Sequence, residues 1–187
     1  FVATATAGAD HFDIPWLNEA GIAWTASPGC NANAVAEYTL TAMALLARKQ
    51  AAPLPGKTLG IIGVGQVGSR VAQKAPLLGL KPLRNDPPLA LKTSSPEFLP
   101  LKAVLNQTDI LTLHTPLTIG GPFPTRHLAD CRLFEQLRPG TWLVNTSRGE
   151  VVDPDALHYV LDHHRIAACA LDVWENEPEL PPALFDA

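Results

Sequence analysis

Apolar positions along this chain fall into short continuous runs that alternate with longer stretches of helical spacing. The first strand-like runs are "FVATATA" and "GIAWTAS". Between them "DIPWLNEAG" predicts a short helix, with Asp13 as N-cap, Pro15 in the first turn and Gly21 as the stop. From Asn31 to Lys49 the spacing predicts a long amphipathic helix whose apolar face carries Val35, Tyr38, Ala42 and Leu45 or Leu46. "QAAPLPG" ends this helix and reads as a linker.

Beyond the linker, "KTLGIIGV" is a continuous apolar run that predicts a buried strand. In "QVGSRVAQKAPLLG" Val67, Val71, Ala75 and Leu78 recur at helical spacing, with Pro76 weakening the helix locally. Further strands are predicted at "DILTLHT", "TWLVNTS" and "AACALDVW", and helices around Leu101 to Asn106, Leu128 to Leu137 and Pro154 to His163. Asp153 and Pro154 supply the cap and first turn of the last helix. "NDPPLALKTSSPEFLP" is proline-rich and predicts an irregular surface loop with room for a short edge strand, and Pro82 makes the strand before it irregular. Strands alternating with helices define an α/β doubly wound parallel sheet, Rossmann-like in plan.

Composition narrows what such a fold does. Hydrophobic residues make up 47% of the 187 and charged ones 17%, enough apolar surface to build a core and too much for a disordered tail. A net charge of -4 with no Lys or Arg cluster excludes a nucleic-acid footprint or an anionic membrane surface and points to a small partner. Cys30, Cys131 and Cys169 are widely spaced with no C-x-x-C pair, so no metal site is expected and a reducing cytoplasm fits. No apolar run is long enough to span a membrane. The chain opens inside an apolar strand without Met, which reads as a cut end.

The most informative stretch is "LGIIGVGQVGSR", where Gly63, Gly65 and Gly68 form G-x-G-x-x-G between a buried strand and a helix. In that context the first glycine permits a tight turn, the second admits a pyrophosphate and the third brings helix and strand close. Gln66 and Val67, inside the motif at the helix start, complete the expected cradle. Asp86 follows Gly68 by 18 positions, where a carboxylate can accept the ribose hydroxyls of NAD and repel a 2'-phosphate. Arg84 is the counterweight, since a guanidinium could pair with that phosphate, and Asp86 alone could be a turn cap before Pro87.

Ligands of a doubly wound sheet sit beyond the carboxyl ends of its strands. Polar residues falling there are His114 and Thr115, Asn145 to Arg148, and Asp172 with Glu177. Arg148 suits a substrate carboxylate or carbonyl, with neutralisation of Glu150 as the plainer alternative. His163 and His164 sit at a helix end, where solvated roles are expected.

The glycine triplet, "HTPLT", "LVNTSRGEVVD" and "ALDVWENEP", in this order, resemble the D-isomer-specific 2-hydroxyacid dehydrogenases. "TATAGADHFD", "SPGCNANAVAEY" and "HTPLTIGGPFPTRHLAD" carry a closer likeness to one branch, which acts on a small phosphorylated 2-hydroxy acid. The resemblance implies NAD as cofactor, Arg148 and Glu177 as catalytic residues, and Thr115, Thr146 and Asp172 on the cofactor. It implies Thr6 as a substrate contact and places His11 and His127 near the substrate side, where structural, hydrogen-bonded roles are favoured for both. It further implies that Glu177 pairs with a catalytic His about 17 residues beyond it, past Ala187.

By the same resemblance residues 1–29 are the end of a flavodoxin-like substrate domain and 30–187 a dinucleotide-binding domain, both incomplete, from a homodimeric enzyme. The segment is expected to bind NAD better than it turns over. A sister dehydrogenase acting on 3-phosphoglycerate, and a nucleotide-sensing corepressor-like protein without catalysis, remain the competing readings.

Overall fold

The structure is a computed structural model that describes residues 1–179. Its first part is small: β1 (Val2–Ala3) pairs in parallel with β2 (Trp24–Thr25) across α1 (Ile14–Glu19). Asp13 caps α1 by accepting from the Trp16 N–H at 3.0 Å, and Pro15 stands in the first turn, as the sequence predicts. α2 (Ala32–Lys49) then leads to the main sheet.

That sheet contains β3 (Thr58–Ile62), β4 (Lys81–Asn85), β5 (Ile110–Leu113), β6 (Thr141–Asn145) and β7 (Ile166–Leu171). All are parallel, in spatial order β4-β3-β5-β6-β7. The connecting helices are α3 (Gln66–Lys74), α4 (Pro87–Thr93), α5 (Leu101–Leu105), α6 (Cys131–Glu135) and α7 (Pro154–Asp162).

Strand side chains alternate between two cores, which is why the strands read as unbroken apolar runs. Leu59, Ile61, Ile110, Trp142 and Val144 join the core that also holds Met43 and Val71, from α2 and α3. Ile62, Leu111, Leu113 and Leu143 join the opposite core, with Val104, Phe134 and Leu157 from α5, α6 and α7. Chain order reverses direction between β3 and β5, so this sheet has its switch point where Gly63 and His114 leave the strands.

Three expectations are corrected. The first half of the proline-rich segment after Asn85 is not an irregular loop: Asp86 caps α4, and Pro87 and Pro88 occupy its first positions, where a missing N–H costs nothing, whereas residues 94–100 are irregular as expected. Its edge pairing shrinks to one bridge, Arg84 with Phe98. The strand before it is regular, because β4 lies at the sheet edge, where Pro82 is tolerated. Finally, α2 does not bury its bulky stripe. Tyr38 and Leu45 are 50% and 53% exposed, while Ala32, Ala36, Thr39, Ala42, Met43 and Leu46 are buried. Small residues let α2 lie close to α3 and the sheet, and close approach outweighs side-chain size. Pro76 acts as expected, since α3 tightens into a 3-10 turn at Ala75–Leu78.

Candidate active site

The site forms where β3 and β5 end. Gly63 takes φ +85°, and a Cβ there would meet the His114 carbonyl oxygen at 2.7 Å, so the two strand ends abut. At Gly68 a Cβ would meet the Gly63 carbonyl oxygen at 2.0 Å, which fixes how closely α3 rides on β3. At Gly65, by contrast, nothing lies within 4 Å. The motif therefore closes its turn at both ends and leaves open space before the N-terminus of α3, where backbone N–H groups favour an anion.

Two cavities flank this point. The first, of about 400 Å³, runs from Gly63 and Gly65 past Asp86 to an apolar wall that includes Leu101 and Phe123. The second, of about 340 Å³, holds Gln66, Val67, Thr146 and Arg148, together with Gly8 and Asp10 from the first part of the chain. Gly65, His114, Thr115 and Pro116 border both. Thr115 Oγ1 is buried on this shared wall without a hydrogen-bond partner, an unmet requirement that a bound polar group would satisfy.

Asp86 does two structural jobs at the rim of the first cavity. Its Oδ1 accepts from Leu89 N–H at 3.0 Å, capping α4, and its Oδ2 accepts from Val64 N–H at 2.8 Å, tying down the glycine turn. Each oxygen keeps a lone pair for a ligand hydroxyl. Arg84 is paired with Glu97, which takes up the guanidinium that would otherwise favour a 2'-phosphate. The loop after β5 folds over this cavity through Thr118 and Thr125, whose backbone and hydroxyl groups bond each other at 2.8 to 3.1 Å.

In the second cavity Arg148 finds a partner 138 residues away. Its Nε donates to Asp10 Oδ2 at 2.5 Å and its Nη1 to the Ser147 carbonyl at 2.8 Å. Its partner is thus Asp10 rather than the neighbouring Glu150. His114 is the one histidine among the described residues that borders either cavity. Its ring lies between Thr112 Oγ1, 3.0 Å from Nε2, and Thr146 Oγ1, 3.4 Å from Nδ1. Burial lowers its pKa to about 3, so the ring is neutral.

Other candidates lie apart. Glu177 is exposed and turns back on its own turn, accepting from the Trp174 N–H at 2.6 Å. Asp172 is exposed at the end of β7, and its charge raises the pKa of Tyr38 on α2. Thr6 donates to the Gly8 carbonyl at 2.8 Å, beside the second cavity without lining it. His127 is held by Glu175 at 2.8 Å and faces Asp153, a structural tie between the loop after β5 and the segment carrying Glu177. His11 packs edge-on against Phe12, and His163 stacks on Tyr159. Asp10 and the Phe123 wall were not singled out from sequence. The only hints were an acid in "GADHFD" and an aromatic in "GGPFPT".

A glycine-lined turn at the switch point of a parallel sheet, opening on two adjoining cavities, defines a dinucleotide-binding domain. The chain belongs to the D-isomer specific 2-hydroxyacid dehydrogenase family, whose NAD binding domain matches residues 36–186. Among individual proteins it is 46% identical, over 100% of its length, to the erythronate-4-phosphate dehydrogenases of Salinibacter ruber and Salmonella paratyphi B. It spans about half of each relative, 49% and 50% respectively. Among solved structures, D-lactate dehydrogenase from Aquifex aeolicus, complexed with NAD and lactic acid, superposes with a TM-score of 0.81 at 28% identity. That match covers 98% of this chain and 64% of the other.

The described residues fit NAD. Open space at Gly65, the α3 N-terminus and the unpaired Thr115 hydroxyl stand where a dinucleotide would cross from one cavity to the other.

Proposed function

We propose that the full-length protein containing this chain oxidises 4-phospho-D-erythronate to 3-hydroxy-2-oxo-4-phosphooxybutanoate with NAD, a step the sequence resemblance assigns to pyridoxal 5'-phosphate biosynthesis. The observation that carries the reading is the placing of Arg148 in a cavity that begins at the glycine turn, beside Gln66 and Thr146. When bound, NAD would supply the hydride acceptor.

This chain's own groups bind and orient. Gly63, Gly65 and the amides of Gln66 and Val67 face the pyrophosphate, and Gly68 sets the helix that carries those amides. Asp86 accepts from the adenosine ribose, while Thr115, Thr146 and Asp172 serve the nicotinamide half. Arg148, steadied by Asp10, holds the substrate carboxylate and polarises the carbon bearing the hydroxyl. Thr6 and its neighbours approach that carboxylate from the other side. Glu177 orients a histidine, supplied from outside residues 1–187, that takes the hydroxyl proton.

Residues 1–29 are assigned to a substrate domain and 30–187 to the dinucleotide domain. The exposed Tyr38 and Leu45 on α2 support a homodimer in the complete enzyme.

Purified full-length protein, assayed for NADH formation with 4-phosphoerythronate, 3-phosphoglycerate and D-lactate, tests the proposal. Highest kcat/KM on 4-phosphoerythronate is expected. Preference for another acid would move the protein to a sister branch, and tight NADH binding with no turnover on any acid would favour a binding-only role.

A further inference from the structure

Four contacts join β5, α2 and the end of β6 into a line. Thr112 Oγ1 meets His114 Nε2 at 3.0 Å, and His114 Nδ1 meets Thr146 Oγ1 at 3.4 Å. Thr146 Oγ1 meets Thr39 Oγ1 at 3.1 Å, and Thr39 Oγ1 meets the Val35 carbonyl at 2.8 Å. Three hydroxyls and a neutral imidazole own four protons, one for each contact.

The assignment follows from the far end. A carbonyl oxygen only accepts, so Thr39 spends its proton on Val35. Thr39 must then accept from Thr146. Thr146, having donated, must accept from Nδ1, so Nδ1 carries the ring proton. Nε2 is left bare and accepts from Thr112. Any other arrangement leaves at least one contact without a proton, among groups that are largely buried.

The order matters because Thr146 lines the cavity that also holds Arg148. Its hydroxyl proton is turned away toward α2, and the cavity meets an oxygen that can accept but not donate. We infer that His114, as an Nδ1–H imidazole in a one-way chain of hydrogen bonds, makes Thr146 an acceptor that selects a hydrogen-bond donor on the bound nucleotide. This rests on reading the second cavity as the nicotinamide end. The donor is the carboxamide NH2 or a ribose hydroxyl, which share this chemistry. His114 is a positioning residue, and it acts on the ligand through Thr146.

Two measurements on the full-length protein test this. Long-range proton–nitrogen correlation on ligand-free protein labelled with 15N-histidine, with His114→Asn to assign the signal, reads the tautomer directly. A neutral ring protonated at Nδ1 at pH 7 is expected. A proton on Nε2, or a charged ring, overturns the inference without reference to any ligand.

The second measurement is NADH affinity. Asn places an N–H donor near the Nδ1 position and Gln near the Nε2 position, so His114→Asn and Thr146→Ser should stay within about threefold of wild type. His114→Gln and Thr146→Val should lose about tenfold. Equal affinity across all four variants overturns the inference. The 3-acetylpyridine analogue of NADH lacks the carboxamide NH2. If it binds wild type about tenfold more weakly than NADH, with the difference gone in Thr146→Val, the donor is the carboxamide. If it matches NADH throughout, including the loss in Thr146→Val, the donor is the ribose hydroxyl. Wild-type protein that binds no NADH overturns the nucleotide reading, whereas the tautomer still reports on the proton order by itself.

Discussion

On the proposed reading, in which Arg148 meets a substrate carboxylate, its guanidinium has to be held without being used up. Asp10 takes the Nε side of Arg148 and the Ser147 carbonyl takes Nη1, which fixes the plane of the fork. Both side chains of the pair are partly exposed, so its worth lies in orientation rather than in stability. Gly8 is the other half of the arrangement: a Cβ there would lie 2.0 Å from Arg148 Nη2. Replacing Gly8 by Ala, or Asp10 by Asn, should lower kcat/KM by about 10- to 100-fold in the full-length enzyme. NADH affinity should stay within about twofold, because both residues act on Arg148, whose proposed role is to hold the substrate carboxylate rather than the nucleotide. Steady-state kinetics beside a nucleotide titration separates the two; equal losses in both would mean that the pair holds the fold instead. His114 offers a test of a different kind. Its folded-state pKa of about 3 lies below the ordinary 6.5, so between those values the unfolded chain binds a proton that the folded chain does not. Its contribution is therefore complete above about pH 6.5 and is lost as pH falls toward 3. Denaturant melts at pH 7 and pH 5 should show a shallower acid loss for His114→Asn than for wild type.

At the scale of elements, Asp86 couples one helix to one turn. Because its two oxygens hold Leu89 of α4 and Val64 of the glycine turn, Asp86→Ala removes a cap and frees a loop together. A loss of about 1–3 kcal/mol in unfolding free energy is expected. The preference for NADH over NADPH should fall about tenfold, which parallel titrations of the variant would show. A variant that melts early yet keeps its preference would leave Asp86 a cap and nothing more. The same residue shows what was legible in the sequence. Its spacing from Gly68 marked the cavity rim, but the helix it starts was hidden by the two prolines that follow, which are turn formers and first-turn residues alike. The central strands β3, β5 and β6 were legible because burial on both faces leaves largely apolar runs such as "LGII" and "ILTL". The packing face of α2 was not. Periodicity weighs Tyr38 and Leu45 above Ala36 and Thr39, and it does not record that a helix seated on α3 needs small residues. Nor could spacing reveal Asp10 beside Arg148, since that contact depends on how the first part of the chain folds onto the second.

The molecule as a whole joins two unequal sheets, and their sizes set how each holds its structure. β1 and β2 contribute two residues apiece, with Leu17 the one buried residue of α1 to cover them. β3, β5 and β6 are each paired on both sides and packed between two cores. A two-stranded pair has little stability of its own, and its contacts with the larger sheet include the partly exposed ion pair of Asp10 with Arg148 and the close approach of Gly29 to the Gln66 side chain. If residues 1–29 are the end of a substrate domain, as proposed, their sheet is completed by chain outside this segment. Amide hydrogen exchange on residues 1–187 and on the full-length protein then gives a contrast. In the segment, Val2 and Thr4 amides should exchange by local opening, orders of magnitude faster than those of Leu111 and Leu143. In the full-length protein the same two amides should slow by about 100-fold or more as the sheet gains strands. NADH added to the segment should protect the turn at Gly63 to Gly68 and leave Val2 and Thr4 unchanged, because neither of those two residues lines either cavity. Equal protection of Val2 in both proteins would mean that the two-stranded sheet is a unit in its own right. Residues 1–29 would then be an appendage of the nucleotide domain, and the second cavity, including the hold on Arg148, would be complete without any further domain.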